Sequence, residues 1–173
     1  MRPDAKPSEQ IIVSMVGGRI KPIQEKQNTR IADNLMDEWI TDKSLLLLPE
    51  MQMFTQEICN TYDVPYFIML AIMENESGLT WQPAKTDTNG LPSIGYTQIN
   101  YPHWERLQNE YGVDVATEKG NIEGGIIILS ELLEKYDLEK ALVAYQCGET
   151  GAKDLESTEF SRKILSRSKE LSQ

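Results

Sequence analysis

The chain has 173 residues with 17 basic and 27 acidic side chains, a net charge of −10 at neutral pH. That length suffices for one domain whose core needs no metal or disulfide staple. The charge weighs against nucleic acid, which clustered Lys and Arg must grip, and against electrostatic attachment to an anionic wall or membrane. Any hold on such a polymer must come from a local groove.

Residues 1–30 are polar and broken by Pro3, Pro7, Gly17, Gly18 and Pro22. They read mainly as a tail or linker, with 11–16 able to form a short strand. Residues 30–47 set Ile31, Leu35, Trp39 and Leu45 among charges, an amphipathic helix expected to dock its apolar face on the main domain. The organisation expected is therefore a tail plus docking helix over 1–45 and one domain over 46–173.

From Pro49 the pattern is regular. Met51, Phe54, Ile58 and Tyr62 mark one helix face, ended at Asp63-Val64-Pro65. Pro65 then opens a second helix. Residues 66–73 are all apolar or aromatic, so this helix is expected to be buried on every side. That run is eight residues, far short of the ~20 a membrane-spanning helix needs. Gly78 supplies the stop. Residues 79–94 hold Pro83, Asn89-Gly90 and Pro92, the chemistry of a long turning connection. Asn100-Tyr-Pro102 starts a short helix through Trp104 and Leu107. Asn121 is an N-cap candidate before Ile122, Ile126, Leu129, Leu133 and Tyr136. Asp137 caps a helix with Leu138, Ala141, Leu142 and Tyr145 on one face, and Gly148 ends it. The fold class is mainly α with a small β element.

Cys59 and Cys147 lie on separate expected helices and read as free, buried thiols in preference to a disulfide. His103 is the one histidine, and no ligand-spaced Cys/His cluster accompanies it, so no metal or other cofactor is expected.

Glu76 occupies the last turn of the buried helix. Unpaired carbonyls there disfavour a carboxylate by about 0.3–1 kcal/mol. Partial burial acts in the same direction. Both keep the side chain protonated near neutral pH, as a general acid requires. A solvated glutamate at a frayed helix end is the other reading of this stretch.

Two downstream segments decide between them. Residues 94–100 read Ile-Gly-Tyr-Thr-Gln-Ile-Asn, and 141–148 read Ala-Leu-Val-Ala-Tyr-Gln-Cys-Gly. The order Glu76-Ser77-Gly78, then Gly95-x-x-Gln98-Ile-Asn100, then Ala144-Tyr145-x-x-Gly148 resembles the soluble lytic transglycosylases, peptidoglycan-cleaving enzymes with a goose-type-lysozyme-like fold. The resemblance runs from about Leu48 to Lys163. The run Tyr145-x-Cys147-Gly148-x-x-Gly151-Ala152-Lys153 looks most like versions from Gram-positive bacteria and their mobile elements.

The resemblance implies a helical domain with a β-containing loop, drawn from 79–94, beside a glycan cleft. It implies cleavage of the β-1,4 bond between N-acetylmuramic acid and N-acetylglucosamine, with closure of a 1,6-anhydro ring. Glu76 would serve as acid and then as base. Glycosidases generally need two carboxyl groups, but this chemistry needs one. Glu74 cannot be a second, since two residues along a helix is a turn of about 200°. Asp87, Glu105 and Glu149 read as surface charges.

Tyr145 matches the tyrosine that holds the catalytic glutamate by a hydrogen bond; a core tyrosine is the plainer alternative. Gln98 matches a glutamine lining the groove, and Asn100 reads as a turn or cap. Ser77 matches a supporting hydrogen-bonding serine. Gly95 suits either close backbone approach or a simple turn. Tyr96 and Thr97 stand where the family usually has Leu-Met, whose methionine touches the sugar, so Thr97 is expected to alter that subsite. Gln146 replaces an asparagine and reaches further. The segment after Lys153 looks shortened and lacks the family's Trp and Tyr, leaving that end of the groove more open.

The partner implied is a peptidoglycan strand, within a cell-wall, phage or conjugation assembly, at an extracellular or wall-associated location. Residues 1–7 lack the marks of a signal peptide. Export by a trimmed leader, release with a phage and use within a larger machine all remain open. A hydrolytic muramidase and a catalytically weak glycan-binding module are the alternative functions.

Overall fold

The structure, a computed structural model, describes residues 41–87 and 90–173 together with the backbone of 13–16 and 19–22. The chain divides into two compact units, Met1–Glu38 and Trp39–Gln173. In the first, β1 (Val13–Val16) pairs antiparallel with β2 (Arg19–Pro22), Val16 opposite Arg19. The short strand expected within 11–16 is present as β1, and it has β2 as a partner that was not expected. The docking helix expected over 30–47 lies outside the described residues as far as 40. Residues 41–48 form turns, not helix.

The second unit is mainly helical. Its elements are α1 (Pro49–Thr61), α2 (Tyr66–Ser77), a sheet of β3 (Lys85–Thr86), β4 (Pro92–Ile94) and β5 (Ile99–Asn100), then α3 (Pro102–Tyr111), α4 (Glu118–Leu133), α5 (Leu138–Ala152) and α6 (Glu159–Leu171). The sheet is antiparallel, with Lys85 opposite Ser93 and Ser93 opposite Asn100. Among the described residues no helix is long and apolar enough to cross a membrane.

Helix α2 is the axis of the core. Every side chain from Ile68 to Met73 is buried, and α6 is its most extensive packing partner. Gly78 ends it at φ 63°, a left-handed turn that a Cβ would strain, and its N–H reaches Glu74 O at 2.9 Å.

The buried side of α1 differs from the expected Met51-Phe54-Ile58-Tyr62 stripe. Met51, Gln52, Thr55, Gln56 and Cys59 face inward, with Phe54, Ile58 and Tyr62 half-buried beside them. Apolar periodicity cannot find this face because much of it is polar. Burial is tolerated because the groups are bonded: Gln52 Nε2 donates to Leu47 O at 2.7 Å and Asp42 O at 2.8 Å, and Thr55 donates to Met51 O at 2.7 Å.

Two more expectations are corrected. Helix α4 begins at Glu118, capped by the Thr117 hydroxyl accepting from Gly120 N at 3.1 Å, so Asn121 is inside the helix and is no cap. Cys59 is buried, and burial pushes its thiol up to about 12, but Cys147 is exposed; both are free. Asp137 does cap α5, accepting from Lys140 N at 2.9 Å. Gly148 breaks α5 at φ 73°, ψ 161°. Past the break, Lys140 Nζ binds the carbonyls of Ala152 and Leu155, the latter at 2.7 Å, and so fastens the segment to the helix.

Candidate active site

Helix α2 delivers Glu76 half-buried in its last turn, two residues before the exposed Gly78. Burial raises the affinity of its carboxyl for a proton; the Asn75 side chain hydrogen-bonds it and opposes the rise, the Asp87 charge reinforces it and the Lys163 ammonium opposes it. The balance is upward, so the acid form survives to higher pH than in an exposed glutamate.

Tyr145 arrives from α5. Its hydroxyl donates a long hydrogen bond, 3.4 Å, to Thr97 O. Burial and then the Glu76 carboxylate push its ionisation up strongly, so the phenol stays protonated and sits within the field of Glu76. Thr97 belongs to the tight loop 95–98, which bends through positive φ at Gly95 (83°) and Gln98 (48°). A left-handed glutamine is strained; Gln98 offsets this by donating its side-chain amide to Gly95 O at 2.7 Å. Gly95 N in turn donates to Gln82 O at 2.9 Å, which ties the loop to the chain leaving α2.

The loop is fixed from behind by Asn121, which is fully buried. Its Oδ1 accepts from Thr97 N at 3.0 Å and lies 2.9 Å from the Thr97 hydroxyl, while its Nδ2 donates to Ile94 O at 2.9 Å and Val115 O at 3.3 Å. A Cβ on Gly95 would lie 2.3 Å from the Asn121 amide carbon, so this glycine serves close packing against a side chain. Asn121 is the site residue that sequence reasoning missed. The Thr117-x-x-Gly120 cap, with Thr117 four residues upstream, was the available signal that it lies within the helix.

The structure thus brings Glu76, Tyr145, Thr97, Gln98 and Gly95 into one neighbourhood. The other residues named from the sequence fall differently. The Thr97 side chain is 2 % exposed and spent on Asn121. Tyr96 is buried, with its ring against Trp81 at 5.8 Å. The Ser77 hydroxyl donates back to Met73 O at 2.8 Å. Gln146 is exposed on the residue after Tyr145. Of the other carboxylates, Glu74 makes a two-pronged bond to Arg167 (2.6 and 3.0 Å), Glu149 pairs with Lys135 (2.6 Å) and Glu105 is exposed. Asp87 is exposed as well, and its carboxylate is oriented by the sheet. It accepts from Ser93 Oγ at 3.3 Å, and Asn100 Nδ2 holds that hydroxyl at 3.0 Å.

A half-buried carboxyl of raised proton affinity at the end of a buried helix, with a neutral phenol in its field and a strained loop and small sheet alongside, fits a lysozyme-like domain. The chain belongs to the transglycosylase SLT domain family, whose sequence profile matches residues 53–166. The matched span runs from α1 into α6 and contains Glu76, the 95–98 loop and Tyr145. No curated protein matches the chain.

Proposed function

We propose that the protein is a peptidoglycan lytic transglycosylase, with Glu76 as the sole proton-transfer group. Glu76 gives its proton to the bridging oxygen, and the bond from that oxygen to C1 of N-acetylmuramic acid breaks. The carboxylate so formed takes the proton of the C6 hydroxyl, whose oxygen closes on C1. Glu76 ends protonated and no water is consumed. Tyr145 supplies a neutral donor beside the carboxylate, and Gln98 braces the 95–98 loop through Gly95 O. Work on such a substrate places the protein at the cell wall.

The observation that carries this reading is half-buried Glu76 at the end of α2, its proton affinity raised by burial, with Tyr145 in its field. Glu76→Gln, which keeps shape and burial, is expected to lower release of soluble fragments from purified peptidoglycan by at least about a thousandfold, the scale of losing a general acid. Release within tenfold of wild type would remove Glu76 from the mechanism.

Asp87 favours a second reading. Its charge reaches Glu76 and its carboxylate is oriented through Ser93. In a hydrolase a second carboxylate directs water onto C1. The products separate the two: an anhydro ring from transglycosylation, a hydrated reducing end from hydrolysis.

A further inference from the structure

The exit from α2 is strained. Gly78 and Leu79 both take left-handed backbone, at φ 63° and 61°, and a buried leucine holds that conformation only where its surroundings impose it. Half-buried Gln82 closes the turn. Its amide spends both N–H groups there, on Ser77 O at 3.2 Å and on the Thr80 hydroxyl at 2.8 Å. That hydroxyl donates in turn to Ser77 O at 2.9 Å. The backbone carbonyl of Gln82 accepts from Gly95 N at 2.9 Å. Gln82 therefore holds the residue after Glu76 with its side chain and the first residue of the 95–98 loop with its backbone. Trp81 beside it adds a ring contact to Tyr96 of that loop, centroids 5.8 Å apart. Thr97, the next loop residue, accepts from Tyr145 through its carbonyl. Trp81 and Gln82 thus form a clasp between the segment that carries the acid and the segment that locates the phenol.

We infer that Gln82 is a positioning residue, whose amide sets the placement of Glu76 relative to Tyr145 by tying the end of α2 to the 95–98 loop. The inference rests on the reading of Glu76 as the cleaving acid. Gly95 N bonds to the backbone at position 82, so the loop half of the clasp survives a change of side chain. The half that reaches Ser77 belongs to the glutamine itself. Without it Thr80 still holds Ser77 O, but among the described residues Thr80 makes no bond to the loop. The helix end and the loop are then free to shift against each other. A misplacement of about 1 Å at a reacting group can cost about 10²-fold in rate.

Gln82→Met keeps the length of the side chain and removes both donors. On purified peptidoglycan it is expected to lower kcat roughly tenfold with KM unchanged, the pattern of an interaction that acts on the chemical step. Thr80→Val, at an exposed position, releases one of the two amide N–H groups and should lower kcat by less, again with KM unchanged. A glutamine that only stabilises the fold would give a lower Tm with kcat intact, and that result would overturn the inference. A second readout needs no turnover: the NMR signals of the Glu76 carboxyl and the Tyr145 ring in the free protein. Gln82→Met is expected to move both. Unmoved signals, with a wild type that cleaves peptidoglycan, would overturn the inference and leave the cleavage reading intact. Moved signals, with a wild type that cleaves nothing, would support the clasp and remove the cleavage reading.

Discussion

Asn121 and Thr97 are 24 residues apart in sequence and joined inside the protein, amide oxygen to backbone N–H at 3.0 Å and to hydroxyl at 2.9 Å. The carbonyl of the same threonine accepts from Tyr145. A buried polar pair on the far side of the loop therefore sets where the phenol beside Glu76 can sit. Asn121→Ala leaves Thr97 N–H and the Ile94 and Val115 carbonyls unpaired, and should cost about 2–4 kcal/mol in urea unfolding. Asn121→Asp should be as damaging, because its carboxylate faces two carbonyls that need a donor.

Thr97→Met restores the residue the resembling family usually carries, and here it should hurt. A Cβ on Gly125 would lie 2.7 Å from the Thr97 methyl, which shows how little room that side chain has. Overpacking of this kind costs about 1–3 kcal/mol. A lowered urea midpoint with unchanged m is the expected result; a gain in both stability and activity would mean the side chain turns out to the cleft instead.

The raised proton affinity of Glu76 makes a stability prediction whose sign is fixed. A carboxyl whose affinity is raised by folding contributes stability below its unfolded pKa, and that contribution is lost as pH rises through the folded pKa. At neutral pH the folded protein therefore carries a cost for the ionised group. Glu76→Gln should raise Tm at neutral pH, with the gain vanishing in acid below the unfolded carboxyl pKa.

Catalysis should follow the same charges. Activity is expected to fall on the alkaline side as Glu76 loses its proton. Asn75, Asp87, Lys163 and Tyr145 face that group. Asp87→Asn removes a negative neighbour and should move the alkaline limb to lower pH; Lys163→Gln should move it higher. Opposite movements of the limb in pH–rate profiles check the assignment of both neighbours.

Much of the scaffold was legible because its signals are local. The all-apolar run of α2, Gly78 at its end, the Asp137 cap and the Gly148 break each follow from a few adjacent residues. The resemblance motifs led to Glu76, the 95–98 loop and Tyr145, which the chain folds together. What was not legible depends on pairing across the fold. Asn121 looks like a cap because an asparagine precedes an apolar stripe, and only its distant partners reveal it as a clamp. Thr97 and Tyr96 look like groove residues by motif position, yet Asn121 and Trp81 draw their side chains inward. Asp87 had nothing nearby in sequence to set it apart; Ser93 and Asn100, on the neighbouring strands, do so. Gln52 breaks the apolar period of α1 because it serves the 42–47 turn.

Just past Gly148, Lys140 fastens the end of α5 and the turn after it. Lys140→Met frees the carbonyls of Ala152 and Leu155 and should cost about 1–2 kcal/mol. Hydrogen exchange should quicken locally over 152–157 more than in α2; a uniform change would show the lysine to be a general surface contributor instead.

Mass spectrometry of the fragments released from purified peptidoglycan tests the central claim most directly. Wild type should yield muramyl ends lighter by one water, the 1,6-anhydro products, and Glu76→Gln should yield none. Hydrated reducing ends from the wild type, abolished by Asp87→Asn, would contradict transglycosylation and make the protein a hydrolase that uses both carboxylates.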